Sequence, residues 1–144
     1  MNALPLVAIA IAFSTAAHCQ EGQGVIARCG ASKGYSFYFK DDLFMPGGSK
    51  WADDAISNGK IILVRLGDEW DIQWDDSVLT SGYRQQGFKV VPLMNKPGMV
   101  AVGAFSETGS DIYVFDLANK TVGWTTNVIG PLAPKIGAFS AECE

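Results

Sequence analysis

Carboxylates are the side chains of this sequence with the greatest capacity for chemistry. Four adjacent pairs occur along the chain: Asp41-Asp42, Asp53-Asp54, Asp68-Glu69 and Asp75-Asp76. Glycoside hydrolysis needs two carboxyl groups about 5–10 Å apart across a sugar. Because neighbouring residues on a strand point to opposite faces, a catalytic pair would have to combine separate segments, such as Asp71 with Asp53 or Asp75. Solvated turn and surface carboxylates explain the same pattern and are the favoured interpretation.

Histidine is almost missing from the chain, which limits its chemistry further. The single histidine, His18, lies in an N-terminal apolar segment that we predict to be removed. The remaining domain then has no imidazole, which excludes Ser–His and Cys–His nucleophilic catalysis. The usual His/Cys zinc sites are excluded as well, and the acidic 41–54 segment lacks the EF-hand spacing for calcium. We therefore predict no catalytic residue, no metal site and no cofactor.

The N-terminal segment, residues 1–19, has the pattern of an export signal. Residues 4–17 carry no charge, and the apolar run 6–13 is followed by small residues. Such a run is too short for a hydrocarbon core about 30 Å thick but fits a secretory signal. Cleavage after Cys19 would leave one domain, 20–144, that is secreted or periplasmic and has no membrane span. Lipidation of Cys19 and an uncleaved anchor are the alternatives.

Two cysteines, Cys29 and Cys143, remain near the two ends of that domain. An even number of cysteines in an oxidising compartment favours pairing. Because bridged Cα atoms lie about 5.5–6 Å apart, a disulfide would bring the first and last strands side by side. Two buried free thiols are the alternative.

The charge distribution argues against a polyanionic partner. The formal net charge is −4, and Lys and Arg are scattered singly along the chain. Nucleic acids and anionic membrane surfaces are bound by concentrated basic faces. We therefore predict that neither is a partner.

Short β-branched and aromatic runs, separated by Gly, Pro, Asn or Asp, predict an all-β fold. The predicted strands are 25–29, 35–39, 60–66, 70–74, 87–93, 99–105, 111–117, 121–125 and 136–143. Spacers this short suit hairpins, predicted at 67–69, 107–110 and 118–120, whereas parallel crossovers need a dozen residues or more. The sheet should be mainly antiparallel. Adjacent terminal strands favour a small barrel or strongly curled meander over the alternative, a two-sheet sandwich.

One segment breaks this rhythm and holds the candidate binding residues. Ser49 could cap a short helix near 49–57, and an irregular loop is the alternative. Trp51 lies there beside Asp53 and Asp54, with Asp42 nearby in sequence. Trp51 is the tryptophan predicted to make an exposed contact, or else to plug one end of the sheet. The other three are predicted to lie in the core, since they share strand faces with aliphatic residues: Trp70, Trp74 and Trp124.

Asn119-Lys120-Thr121 matches the N-glycosylation acceptor pattern, although turn preference alone explains an Asn at a hairpin tip. The sequence leaves open whether Asn119 is glycosylated.

The stretch Cys29-Gly30-Ala31-Ser32-Lys33-Gly34-Tyr35, together with the late Cys143, resembles short exported bacterial β-rich proteins of uncharacterised function. Those proteins share a Cys-Gly-x-Ser-x-Gly-Tyr start and a terminal Cys. The resemblance implies export and a disulfide-closed β fold, and it supplies no activity.

The function predicted from these observations is an exported, non-enzymatic binding or interaction module for an unknown protein or small ligand. A structural component of envelope assembly and a carboxylate-based carbohydrate-active enzyme are the alternatives. The sequence does not fix the oligomeric state, or whether the barrel is filled or hollow.

Overall fold

The computed structural model describes residues 24–75, 80–130 and 133–144, and within these ranges it contains strands and no helix. These residues form no helix that is long and apolar enough to cross a membrane. The strands are β1 (Gly24–Tyr38), β2 (Lys50–Asp53), β3 (Lys60–Leu66), β4 (Glu69–Asp75), β5 (Thr80–Gly82), β6 (Lys89–Lys96), β7 (Met99–Phe105), β8 (Gly109–Asp116), β9 (Thr121–Val128) and β10 (Lys135–Cys143).

The strands form one antiparallel sheet that curls strongly into a half-barrel. Nine of them are hydrogen-bonded in the order β5-β4-β3-β1-β10-β9-β8-β7-β6, and β2 pairs with β1 outside this path. The predicted all-β, antiparallel, curled architecture is confirmed. The three predicted hairpins are present as the β3–β4, β7–β8 and β8–β9 connections.

Strand β1 organises the centre of the sheet, because it is long enough to have two partners on one edge. Its first half pairs with β3 from Gly24 to Cys29, and its second half pairs with β2 from Tyr35 to Tyr38. Its other edge pairs with β10. The sequence predicted two separate strands here, whereas the chain continues extended between them, with a register shift between Cys29 and Ser32 in its pairing with β10.

The predicted short helix near 49–57 is wrong, and its alternative, an irregular loop, holds only for the last part. Lys50–Asp53 forms β2, and residues 54–59 are irregular. Ser49 caps no helix: its Oγ accepts a hydrogen bond from the backbone N of Lys40, 2.8 Å away. The second half of β1 offers an edge beyond the end of β3, so pairing between strands overrides the local helix signal.

The terminal cysteines meet as predicted. Cys29 and Cys143 occupy directly paired positions of β1 and β10 and form a disulfide, with Cα atoms 3.8 Å apart. Cys29 is 2% exposed. The pairing confirms that the first and last strands lie side by side, although they do so in the middle of the sheet rather than at a closing seam.

The concave side of the sheet forms the core, with inward and outward residues alternating along strands such as β8 and with continuous buried runs in β3 and β7. Leu63, Ile72, Val102, Tyr113 and Phe115 are fully buried there. The prediction of core tryptophans is confirmed for Trp70 and Trp124, which are 4% and 6% exposed, and Trp74 packs against the core in a partly buried position.

Arg84 links the two sides of the sheet where its edges approach each other. Its guanidinium donates to the carbonyl of Trp70 on β4 at 2.8 Å and to that of Val90 on β6 at 3.3 Å. Trp70 lies beyond the part of β4 that pairs with β5, and β6 is the last strand of the sheet. Arg84 thus satisfies two backbone carbonyls at sheet edges that no further strand covers. In the described part of the chain, Arg84 therefore bridges β4 and β6, which are not joined by a strand ladder.

Candidate functional site

One end of the half-barrel, which we call the mouth, holds a cavity of about 190 Å³. Its walls come from six separate segments, which the sheet register brings together. The lining residues are Asp54, Ile56, Trp74, Tyr83, Asp111, Tyr113, Trp124, Thr126, Lys135 and Phe139. Titratable and aromatic side chains thus share one small space in a domain whose other inward positions are mainly apolar.

The rim of the mouth is built around the Asp54 carboxylate. Lys135 Nζ lies 2.6 Å from Asp54 Oδ2, and the hydroxyls of Ser36 and Tyr38 donate to the same oxygen at 2.8 and 2.9 Å. The β1–β10 register accounts for this arrangement, because Tyr38 lies opposite Lys135. The Lys135 ammonium also lies over the rings of Tyr38 and Phe139, 5.4 and 6.0 Å from their centroids.

These contacts decide the protonation of Asp54. Burial acts to raise its pKa, but the hydrogen bonds from Lys135, Ser36 and Tyr38 outweigh burial and hold the pKa below its usual value. The pKa of Tyr38 is raised by burial and by its hydrogen bond to Asp54. Asp54 is therefore an ionised acceptor, and Tyr38 a neutral donor, at neutral pH.

We expect Asp54→Asn to lower the free energy of unfolding by about 1–3 kcal/mol at pH 7, because it removes a charge that accepts several hydrogen bonds. A carboxylate with a lowered folded pKa stabilises the fold above its unfolded pKa of about 3.9. That stabilisation is lost as pH falls through the folded pKa. The difference between wild type and variant should therefore shrink below about pH 4. Urea unfolding followed by tryptophan fluorescence between pH 7 and 3 measures it.

Asp53→Asn is the matched control, since Asp53 is the exposed neighbour on β2. It should change stability by no more than about 0.5 kcal/mol at any of these pH values. An Asp54→Asn deficit that stays constant down to pH 3 would contradict the assignment of the ionised Asp54 as the stabilising group.

A second polar group lies deeper in the mouth. The Tyr83 hydroxyl donates to Asp111 Oδ2, and the Tyr83 and Tyr113 hydroxyls are 2.8 Å apart. Burial raises the pKa of Asp111, although hydrogen bonds from Thr126 and Tyr83 act in the opposite direction. Burial also raises the pKa of both tyrosines, so they remain protonated donors. Within the described residues, no buried side-chain N or O atom lacks a hydrogen-bond partner.

Aromatic rings form the floor and walls around these polar groups. The Trp124 ring stacks between Tyr113 and Phe139, with centroid distances of 5.5 and 5.2 Å. The Trp74 ring meets Trp124 edge-on at 5.7 Å. Tyr113 and Trp124 are buried within the stack, whereas Trp74 and Phe139 keep part of their surface accessible. Of these four rings, Trp74 and Phe139 therefore have the most surface available to a ligand in the mouth.

The four candidate binding residues from the sequence are split between two faces of the sheet. Trp51 and Asp53 lie on the outward side of β2, where Trp51 is 64% exposed and its ring packs against Phe37 at 5.4 Å. Trp51 is thus exposed, as predicted, and does not plug an end of the sheet. Asp42 is exposed in the turn after β1, and only Asp54 lines the mouth. A binding role for any of the four residues stays a prediction.

The carboxylates proposed to pair for glycoside hydrolysis, Asp53, Asp71 and Asp75, do not line the mouth. Asp71 accepts hydrogen bonds from the backbone N of Arg84 at 3.2 Å and of Ile72 at 2.9 Å, and Asp75 accepts one from Thr80 at 2.8 Å. Asp76 lies outside the described residues, as do the predicted signal peptide and its cleavage site. The two carboxyl groups that line the same cavity are those of Asp54 and Asp111.

Sequence analysis missed Lys135, Tyr83 and Asp111 at the mouth. A signal existed for Asp111, because strict alternation along β8 places it on the same face as Tyr113 and Phe115. A carboxylate that continues an apolar face is typical of a functional or networked position. Lys135 and Tyr83 gave no comparable signal, since each lies at or beside the end of a strand.

At the predicted glycosylation triplet, the exposed Asn119 donates through Nδ2 to Asp116 Oδ2 at 2.8 Å within the β8–β9 turn. Turn chemistry accounts for this residue, which is the explanation that the sequence offered beside glycosylation.

Two larger grooves, of about 480 and 550 Å³, lie elsewhere on the domain. The first follows β1 and β10 and is lined mainly by small residues. The second lies at the opposite end of the half-barrel, where the Arg65 guanidinium covers the Trp70 ring at 5.2 Å. The mouth is the cavity that combines partly accessible aromatic rings with carboxylates from separate segments, so we take it as the candidate site.

Comparison of the chain with protein-family models, curated proteins and solved structures found no match.

Proposed function

We propose that this domain is an exported, non-enzymatic binding module that holds a small ligand in the mouth of its half-barrel. The observation that carries the proposal is the convergence of Asp54, Lys135 and the Tyr83–Asp111 pair on one cavity with aromatic walls. Small-molecule sites are concave and mostly apolar, with a few fixed polar groups that orient the ligand. The mouth has this composition.

The size of the cavity favours a ligand of about ten non-hydrogen atoms or fewer. Engineered cavities of about 150 Å³ bind benzene, whereas sites for drug-sized molecules start at about 300 Å³. A volume of about 190 Å³ lies between these values. A compact ligand, or one compact group of a larger molecule, therefore fits.

A binding role is favoured over catalysis because the polar groups of the mouth bond to one another. Asp54 accepts from Lys135, Ser36 and Tyr38, and its lowered pKa makes it a poor general acid. Asp111 accepts from the neutral hydroxyl of Tyr83. A carbohydrate-active enzyme remains the alternative, and glycan turnover by the pure protein that is lost in Asp111→Asn would favour it.

Export is part of the proposal and is supported by the disulfide between Cys29 and Cys143, since such bonds persist in oxidising compartments. The signal-like segment at 1–19 supports it from the sequence. A structural role in envelope assembly is the other alternative, and it predicts co-purification with envelope material without any small-ligand effect.

A fragment screen by ligand-observed NMR tests the proposal with two adjacent variants. Thr126 lines the mouth and Thr125, its neighbour on β9, is exposed on the outward face. Thr126→Phe should fill the cavity and abolish binding of the fragments that bind wild type. Thr125→Phe adds the same ring outside and should leave their binding within about twofold of wild type, as expected for a surface substitution.

The same screen separates the mouth from the outward face. We expect Trp51→Ala to leave fragment binding unchanged, because Trp51 is exposed on the outward face and does not line the cavity. Binding that is lost in Trp51→Ala and kept in Thr126→Phe would overturn the mouth as the site and favour the exposed aromatic contact. Absence of any fragment sensitive to Thr126→Phe would overturn small-ligand binding at the mouth.

A further inference from the structure

The protein's own lysine shows what kind of group the mouth stabilises. The Lys135 ammonium is held by the Asp54 carboxylate at 2.6 Å and lies over the Tyr38 and Phe139 rings. A carboxylate on one side and aromatic faces on the other are the two features that recognise organic ammonium groups. The rim thus already contains one ammonium site, filled by the chain itself.

The deeper part of the mouth also combines a carboxylate, that of Asp111, with aromatic rings, but no ammonium group is bonded to this carboxylate among the described residues. The Asp111 carboxyl is bound to the hydroxyl of Tyr83, a neutral donor, and it lines the cavity. The positive charge of Lys135 lowers the pKa of Asp111, but the Lys135 ammonium itself is hydrogen-bonded to Asp54. Burial raises the pKa of Asp111 because removal from water disfavours the charged carboxylate, and the hydrogen bonds from Thr126 and Tyr83 together with the Lys135 charge offset this effect only in part. A second cation in the cavity would compensate the charge of the Asp111 carboxylate.

The accessible aromatic surface lies in the same cavity. Trp74 and Phe139 keep part of their surface exposed there, and tryptophan is the ring that attracts cations most strongly. A trimethylammonium group is compact and weakly hydrated. It fits a space of about 190 Å³ more readily than a long ligand does.

We infer that the mouth binds the ammonium group of a small organic cation, with Asp111 as its counter-charge and the Trp74 and Phe139 rings as its walls. This inference rests on the proposed function, since it names the ligand class for the same site. An organic anion bound by Lys135, or a neutral apolar group, would use the cavity differently, and both are outcomes of the test.

Two probes of the same shape test the role of charge in the wild-type protein. Choline carries a trimethylammonium group, and 3,3-dimethyl-1-butanol replaces its nitrogen by carbon. We expect choline to bind about tenfold or more tightly than the neutral alcohol. Chemical-shift titration of the Trp74 indole N–H measures both affinities, with acetate as the anionic probe. This comparison requires no variant, so it does not depend on the folding of one.

Matched charge variants then assign the counter-charge. Asp111→Asn and Asp53→Asn change the net charge equally, but only Asp111 lines the mouth. Asp111→Asn should weaken choline about tenfold more than it weakens the neutral alcohol, whereas Asp53→Asn should leave both affinities unchanged.

The outcomes distinguish this inference from the proposed function. Equal affinity for the two isosteres, or a preference for acetate, would overturn the cation assignment while leaving the mouth as a ligand site. Failure of choline to shift the Trp74 signal would also overturn the assignment. The fragment screen with Thr126→Phe decides the proposed function separately.

Discussion

Replacing both Cys29 and Cys143 by Ala is expected to lower the free energy of unfolding by about 4 kcal/mol. The disulfide closes a loop with a sequence separation of 114 residues. Chain-entropy estimates give about 4.7 kcal/mol for a loop of about 100 residues, and removal of native disulfides from small secreted domains costs about 2–5 kcal/mol. Since small domains are stable by only about 5–15 kcal/mol, the loss is a large part of the total.

The variant should still fold at low temperature, because the disulfide is one element of a longer ladder. From Ser32 to Tyr38 the register of β1 and β10 continues without the bridge. Denaturant unfolding at 15 °C, followed by tryptophan fluorescence, measures the change for the double variant. Wild type reduced with dithiothreitol is the control and should lose a similar amount. A loss below about 1 kcal/mol would show that the strand ladder alone holds the terminal strands together.

The features of the fold that depend on a short stretch of sequence, or on a single covalent bond, could be predicted from the sequence. Alternation in 70–74 predicted β4, the β-branched and aromatic run 111–117 predicted β8, and the short spacers predicted their hairpins. Cys29 and Cys143 predicted contact between the terminal strands, because a disulfide between them requires their Cα atoms to lie close together. In each case a short stretch of sequence, or one bond, determines the structural outcome.

The features that depend on pairing between distant segments could not be predicted in the same way. Strand β2 exists because β1 extends beyond the end of β3 and offers a free edge. Locally, Ser49 and the aspartates after it favour a helix start. Four residues with weak propensity adopt the conformation that their partner imposes.

The mouth depends on sheet register to an even greater extent. Tyr83 and Asp111 are 28 residues apart, and Lys135 and Asp54 are 81 apart. Each pair meets because the intervening strands have a particular register, and a shift by one residue would turn one partner outward. The sequence placed Asp54 among its candidates for its position beside Trp51, whereas the structure separates the two on opposite faces of the sheet.

One glycine of β1, Gly34, is covered by an aromatic ring of the mouth. Gly34 lies opposite Phe139 in the β1–β10 register. A Cβ atom at Gly34 would lie 2.8 Å from Phe139 Cγ and 2.5 Å from the carbonyl oxygen of Ala138. The ring could rotate away from such an atom, but the carbonyl belongs to the paired strand and cannot move without breaking the ladder.

We therefore expect Gly34→Ala to lower the free energy of unfolding by about 3 kcal/mol, at the upper end of the usual cost of overpacking. Gly30, four residues earlier on the same strand, is the matched control, since its nearest neighbour to a built Cβ atom is the Glu142 carbonyl oxygen at 4.0 Å. Gly30→Ala should be neutral or stabilising by up to about 1 kcal/mol, because alanine has less backbone entropy to lose. Parallel denaturant titrations of the two variants measure the difference.

The same pair of variants connects the packing of β1 to the site. Phe139 stacks on Trp124 and forms one wall of the mouth. If Gly34→Ala displaces this ring, the tryptophan fluorescence of the folded protein should change and fragment binding at the mouth should weaken, while Gly30→Ala leaves both as in wild type. Equal stability of the two alanine variants would contradict the close packing of Phe139 on Gly34, and with it the position of this wall. The absence of a side chain at Gly34 is, by this argument, what allows Phe139 to reach both the stack and the cavity.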